Sequence, residues 1–328
     1  MHRIFLSLLF LSCLPMAASA ACSGTDLRDH LTEVERARLN ADVARIPYAT
    51  GNHWIARKGD TILHLIGTLH LNDPRMAAAT ERLIPVLEAA DAVYLEINSE
   101  DMADFESRLA RDPSPLMIAS GPSLIERLEP QDWDILADAL AQRGMPGWMG
   151  AKMQPWFLTM TLAIPPCLTL SPDADQGLDK RLREVADRLG LPQYSLETPD
   201  LILSIFDSYS MEEQVEALVS LLPTIQAGDD QLATMANAYF EENHAEIFAW
   251  AKIYTLSLTG MSEAEYDASW GEIEDRLLRQ RNLQWMESLR QITDQIAVVA
   301  VGAGHLGGEN GLLVMLEQEG FSLERTAF

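Results

Sequence analysis

The spacing of apolar positions changes several times along the chain. From residue 26 to 45 they recur at helical spacing among charged residues (Leu27, Leu31, Val34, Leu39, Val43), which predicts an amphipathic helix. Beyond Pro47 and Gly51 the pattern switches. Thr61-Ile62-Leu63-His64-Leu65-Ile66 has the length and content of a buried strand that stops at Gly67. Ala77 to Ala90 returns to a helical pattern, and Ala92-Val93-Tyr94-Leu95-Glu96-Ile97 predicts a second strand. Such alternation of helix and strand predicts an α/β core.

The middle of the chain differs. Leu124 to Arg143, Pro155 to Ala163 and Gly177 to Leu189 predict helices, the last closed by Gly190. Gln193 to Leu196 is a short strand candidate that leads into Glu197. From Leu201 to Leu289 nearly everything is helical, with acidic residues (Glu212, Glu213, Glu216, Glu241, Glu242, Glu246, Glu272, Glu274) on a solvated face. Met235, Tyr239, Phe240 and Trp250 fall at core spacing. Gln295 to Val301 is the strongest strand, followed by the glycine-rich turn Gly302 to Gly311 and a helix from Leu312 to Glu319 closed by Gly320. Phe321 to Leu323 predicts a last strand. The expected fold is α/β of mixed α+β type: a central mixed β-sheet built from the N- and C-terminal segments, flanked by helices, with a large helical insertion over roughly residues 121–290. No linker or low-complexity segment divides residues 21–328, so a single domain is expected.

The first twenty residues are expected to stay outside that domain. Met1-His2-Arg3 gives a positive start, Ile4 to Met16 is apolar but too short to span a bilayer, and Ala18-Ser19-Ala20 has the form of a cleavage site. A signal peptide cleaved after Ala20 is expected, placing the protein in the periplasm or outside the cell. A lipid anchor at Cys22 is disfavoured, because Ser19-Ala20-Ala21 lacks the usual leucine. Cys13 leaves with the signal, and Cys22 and Cys167 most simply form one disulfide in an oxidising compartment. Two unpaired buried thiols are the alternative. With 24 Lys+Arg against 49 Asp+Glu in 328 residues, the formal charge of −25 disfavours nucleic acid and anionic membrane surfaces as partners. After signal cleavage no apolar run is long enough for a transmembrane segment.

Chemistry-bearing motifs are few. Gly302-x-Gly304-x-x-Gly307 matches the dinucleotide fingerprint literally, but the chain ends too soon to complete that fold and His305 would occupy the tight turn. A zinc His-Glu-x-x-His helix, a Gly-x-Ser-x-Gly elbow and a Walker loop are all missing from the sequence. Gly67-Thr68-Leu69-His70 and Gly302-Ala303-Gly304-His305 are two Gly-x-x-His units, each just after a buried strand. A glycine at the strand end permits a sharp turn and presents the histidine at the carboxyl edge of the sheet, where ligands bind in open α/β folds. Glu96 and Glu197 follow strand candidates and are placed to reach the same edge. Two histidines with one or two carboxylates suit a divalent metal with an open position for water, or a metal-free general acid/base site. His53 and His64 are expected to be structural, and His30 and His244 to lie on helix surfaces. Cys167 is not a nucleophile candidate, since Pro165-Pro166-Cys167 offers neither a helix N-terminus nor a cation.

These residues carry a resemblance. Ile66-Gly67-Thr68-Leu69-His70-Leu71, Tyr94-Leu95-Glu96, Lys152 with Pro155-Trp156, Gly177-Leu178-Asp179, Leu196-Glu197-Thr198, Arg281-Asn282 and Val301 to Gly307 with Gly311-Leu312-Leu313 follow one another in the order and spacing of the TraB/GumN family. The wider relatives of that family include the Tiki metalloproteases and the erythromycin-esterase-like enzymes. The resemblance implies an exported hydrolase, a metal-dependent peptidase of Tiki-like type. His70, Glu96 and His305 would hold a divalent ion such as Mn, Co or Zn, and Glu96 or Glu197 would serve as general base. Arg281 would stabilise negative charge or steady a carboxylate. Lys152 and Trp156 are expected to be structural, Asp179 to start a helix, and Asn282 to cap or cross-link helices. The substrate would be a peptide or a small molecule. Two other readings stay open: a secreted protein that binds a peptide or signal without turnover, and a metal-independent hydrolase of the esterase-like kind.

Overall fold

The computed structural model describes residues 22–328 except Pro172. The expected signal peptide and its cleavage point lie outside the described residues. Six strands form one mixed sheet: β1 (His53–Lys58), β2 (Thr61–Thr68), β3 (Ala92–Leu95), β4 (Gln193–Ser195), β5 (Ile296–Gly302) and β6 (Ser322–Arg325), in the order β4-β3-β5-β2-β1-β6. β4, β3, β5 and β2 run parallel, while β1 lies antiparallel to both β2 and β6. The α/β expectation therefore holds, with the N- and C-terminal segments interleaved. Strand β5 sits between β2 and β3, so its unbroken apolar run is explained by burial on both faces.

Each face of the sheet is covered by helices. On one side Leu63, Leu65, Val299 and Val301 pack with Trp285, Leu289, Leu312 and Leu316. On the other, Ile66, Val298 and Ala300 pack with Leu83, Leu87, Leu182 and Tyr239. The helical middle adds its own apolar cluster around Leu136, Leu140, Leu158, Leu162 and Leu218. Tyr239 and Trp250 are buried, as their spacing predicts, while most of the acidic residues of this region are exposed. No helix among the described residues is long and apolar enough to cross a membrane. Cys22 and Cys167 are joined by a disulfide across 145 residues, tying the start of the described chain to the middle.

Several expectations need correction. β1 has no counterpart in the periodicity reading, although Gly59-Asp60 between it and β2 forms a two-residue hairpin turn with Gly59 at φ +60°. The strand expected at Gln193 to Leu196 forms as β4 and pairs with β3, so the middle adds one edge strand to a sheet otherwise built from the two ends of the chain. β2 does not stop at Gly67; it runs through to Thr68, in register with Gly302 of β5. Glycine at 67 is favoured by packing rather than by a turn: a Cβ there would come within 2.8 Å of Leu306 Cδ1 and 3.1 Å of Ala303 Cα. Cys167 does lie in the first turn of a short helix, Pro166–Thr169, but its sulfur is taken by the disulfide. His244 is not on a helix surface but 2 % exposed, pressed against the loop at Gly307.

Candidate active site

The four parallel strands end at one edge of the sheet, and each delivers a polar residue just past its end. His70 follows β2, Glu96 follows β3, Glu197 follows β4 and His305 follows β5. The parallel register sets this convergence: Leu95 of β3 lies opposite both Ala300 of β5 and Ser195 of β4, and Thr68 lies opposite Gly302. At the meeting point stands Gly302. A Cβ on it would lie 3.3 Å from Glu96 Oε1, 3.6 Å from His305 Cδ2 and 3.7 Å from His70 Nε2. The missing side chain leaves room for three functional groups, and the Gly302 N–H donates to Glu96 Oε1 at 2.7 Å.

Arg281 ties the acidic residues together. Just before it the helix opens into a wider π turn over Asp275–Arg279, a distortion common near functional sites. The guanidinium donates from Nε and Nη2 to the two oxygens of Glu197 at 2.9 and 2.7 Å, and from Nη2 to Glu96 Oε2 at 2.7 Å. Nη1 donates to the Leu277 carbonyl at 3.0 Å and to His305 Nε2 at 3.1 Å. Those contacts use all five of its N–H donors, leaving none for a substrate. Arg281 therefore steadies carboxylates, the second of the two roles expected for it. Glu197 is correspondingly withdrawn: its side chain is 0 % exposed, and Oε2 also accepts from Trp285 Nε1 at 2.9 Å. Burial pushes its carboxyl upward against the pull of Arg281.

The two histidines are held in opposite states. His305 is buried, with Nδ1 2.7 Å from Asn282 Oδ1. Because Arg281 donates to Nε2, the ring carries its proton on Nδ1 and gives it to Asn282. Burial, with the charges of Arg281 and His70, pushes it down to about 3 despite the opposing pull of Glu96, so it is neutral. His70 instead has Nδ1 3.2 Å from Asp179 Oδ1 and an open outer side. Desolvation would lower it, but the close Asp179 carboxylate and the charge of Glu96 outweigh this and raise it to about 9. At neutral pH it is an imidazolium. Burial would raise Glu96, yet the charges of His70 and Arg281 and the Gly302 N–H bring it down to about 2, so it is ionised.

As the side chains stand, a divalent ion shared by His70, Glu96 and His305 would require the Arg281 contact at His305 Nε2 to give way. Both rings have a polar group close to Nδ1, as metal-bound histidines do, but the only lone pair of His305 already accepts from a guanidinium. A metal at Nε2 would have to lie against that cation. Arg281 is locked in place by Glu197 and by the Trp285 ring 4.8 Å away.

The expected site residues His70, Glu96, Glu197, Arg281 and His305 thus all meet, though Glu197 and Arg281 lie behind the open side. Lys152 is exposed and donates to the Gly121 carbonyl, and Trp156 stacks on Phe206, both away from the site. Asp179 and Asn282 were expected only to start, cap or cross-link helices; Asn282 also bonds the His305 ring, and the Asp179 carboxylate stands 3.2 Å from His70 Nδ1. The signal for them lay in Gly177-Leu178-Asp179 and Arg281-Asn282. Gly177 packs so closely on the His70 backbone that a Cβ would sit 2.3 Å from its carbonyl carbon, and this carries Asp179 to the ring.

The chain is 27 % identical over 277 residues to the uncharacterized protein YbaP of Escherichia coli strain K12, covering 81 % of this chain and 94 % of that protein. YbaP of Shigella flexneri matches to the same extent. Residues 52–325, from just before β1 to the end of β6, match the TraB/PrgY/gumN family. With the match running through every strand and every site residue, the chain belongs to the TraB/PrgY/gumN family.

Proposed function

We propose that this protein is an exported hydrolase that cleaves an ester or amide bond by general acid–base catalysis, without a metal. The observation that carries the reading is the convergence of His70 Nε2 and Glu96 Oε1 on the space above Gly302. Neighbouring groups push these two side chains to opposite protonation states, His70 to about 9 and Glu96 to about 2. At neutral pH this sets an imidazolium able to donate a proton beside a carboxylate able to accept one. In the reaction Glu96 takes a proton from a water as its oxygen attacks the carbonyl carbon. The Nε2–H of His70 passes to the leaving oxygen or nitrogen as its bond to that carbon breaks. A proton moved from Glu96 to His70 restores both groups. The Asp179 carboxylate stands 3.2 Å from His70 Nδ1, and Arg281 with the Gly302 N–H fixes Glu96. Support for the metal-free form comes from the guanidinium at His305 Nε2; support for export comes from the disulfide and the expected signal.

A screen of p-nitrophenyl esters and fluorogenic peptides tests this, with and without a chelator. Turnover is expected to survive the chelator and to fall by roughly 10²–10⁴-fold in His70→Gln and Glu96→Gln. Asp179→Asn should lower kcat with little change in KM and shift the alkaline limb of the pH profile to lower pH. Loss of turnover on chelation, restored by Mn, Co or Zn, would refute the metal-free mechanism in favour of the peptidase of Tiki-like type. Saturable peptide binding with no turnover under any metal would favour a sequestering protein.

A further inference from the structure

Two helices start at the same edge of the sheet as the candidate site. Ser99–Arg111 begins three residues after Glu96, and Pro199–Asp207 begins two residues after Glu197. Their approaches are tied together, since the Asn98 N–H donates to Ser195 Oγ at 2.9 Å. Both helices carry apolar stripes. Met102, Phe105 and Leu109 recur at helical spacing on the first, and Leu201 to Phe206 is apolar but for Ser204 on the second. Neither stripe is sealed: no residue of the first helix is buried, and Pro199 is the only buried residue of the second. Helices that cover the sheet do bury theirs, as Leu83 and Leu87 or Leu182 and Val185 show.

Between these helices lies a cavity of about 350 Å³, within the size range of small-ligand pockets. Phe105 and Leu109 line it from one helix and Leu203 from the other, with Pro115 beside them. An ion pair spans the two walls. Arg108 Nη1 and Nη2 donate to the two oxygens of Asp200 at 3.1 and 3.0 Å, and the guanidinium stands 5.6 Å from the Phe105 ring centroid. In open α/β folds ligands occupy the crevice outside the carboxyl ends of the strands, and both walls of this groove start there. The walls offer apolar side chains and no main-chain partners, because backbone groups inside a helix bond one another. An extended peptide needs such partners, whereas a hydrocarbon chain needs apolar contact alone.

We propose that this groove holds the acyl chain of the substrate, a linear hydrocarbon attached to the carbonyl carbon on which Glu96 and His70 act. The substrate class is then a medium-chain acyl ester or amide. That class rests on the hydrolase reading above, whereas occupation of the groove by a hydrocarbon chain is measurable without turnover. Phe105, Leu109 and Leu203 supply the contact, and each methylene they remove from water strengthens binding by up to about fourfold.

Titration calorimetry of the full oxidised protein at pH 7 reads occupation directly, with 1-octanol as the probe and 1-butanol as the short control. Saturable one-to-one binding of 1-octanol is expected, with 1-butanol weaker by at least about tenfold. Leu109→Trp fills the groove, and Phe105→Ser/Leu203→Ser strips its walls. All three positions are half-buried, so both variants should keep a cooperative thermal transition. Each should weaken 1-octanol roughly tenfold. In a turnover arm, kcat/KM for p-nitrophenyl esters is expected to rise at least about tenfold from acetate to octanoate, and Leu109→Trp should flatten that rise. Octanol binding that both variants weaken, with no turnover of any ester, would support the groove and count against the hydrolase. No saturable 1-octanol binding up to about 3 mM would overturn the groove whether or not esters are cleaved. An affinity unchanged in both variants would also overturn it, as would tighter binding of N-acetyl-leucyl-leucine amide than of 1-octanol.

Discussion

Replacing Arg281 with Met tests how the site is held together. The side chain is similar in length but carries no charge and no donor, so all five guanidinium hydrogen bonds disappear. Glu96 has 17 % of its side chain exposed and can turn to water, whereas Glu197 has none and keeps only the Trp285 N–H. Removing one partner of a buried ion pair costs about 3–5 kcal/mol, because the other charge is left uncompensated. Against a typical domain stability of about 5–15 kcal/mol this is a large share. Adding Glu197→Gln removes the stranded charge and keeps an acceptor for Trp285. The double variant should therefore recover about 2–3 kcal/mol relative to the sum of the single changes. Urea unfolding at pH 7, followed by tryptophan fluorescence and far-UV circular dichroism with the disulfide intact, gives all four corners of the cycle. A cost below about 1 kcal/mol for Arg281→Met, or additive behaviour in the double variant, would show that the network does not carry stability in the way argued.

Two further outcomes follow from groups away from this network. His244 is pushed from its usual value to about 4 by burial and Arg325, and His64 to about 4 by burial, His53 and Arg57. Both are lowered in the folded state, so the stability they contribute is full above about pH 6.5 and is lost as pH falls toward 4. His244 alone should cost about 2 kcal/mol between pH 7 and 5, where few carboxylates titrate; urea midpoints that stay flat over that interval would contradict it. The Cys22–Cys167 disulfide closes a loop of 145 residues, for which chain entropy gives about 5 kcal/mol as an upper figure. A Cys22→Ser/Cys167→Ser variant should unfold at a markedly lower Tm in differential scanning calorimetry, and an unchanged Tm would rule out a stabilising role.

Much of the architecture was legible because strands and helices differ in apolar period. The run at 295–301 could only be a doubly buried strand, and β5 lies at the centre of the parallel strands. β1 was not legible, since His53, Arg57 and Lys58 break the alternation and its pairing with both β2 and β6 is long-range. His244 was misplaced for a related reason. A polar residue at a helix start looks solvated in sequence, and only the approach of the Gly307 loop buries it.

Local sequence thus determined which groups sit at the carboxyl end of each strand: His70, Glu96, Glu197 and His305. It also placed the acidic charge on helices of the middle, where it is mostly solvated and takes no part in the site. What the tertiary structure alone decided is the division of labour among the site residues. Glu96 and Glu197 look alike as residues after short strands. One faces the open space at Gly302, while the other is sealed between Arg281 and Trp285. His70 and His305 occupy matching Gly-x-x-His units, but one has Asp179 beside it and the other has Asn282 and Arg281. Protonation is set by charges and burial within a few ångströms. Those neighbours arrive from sequence positions 23 to 185 residues away, and no local pattern encodes them.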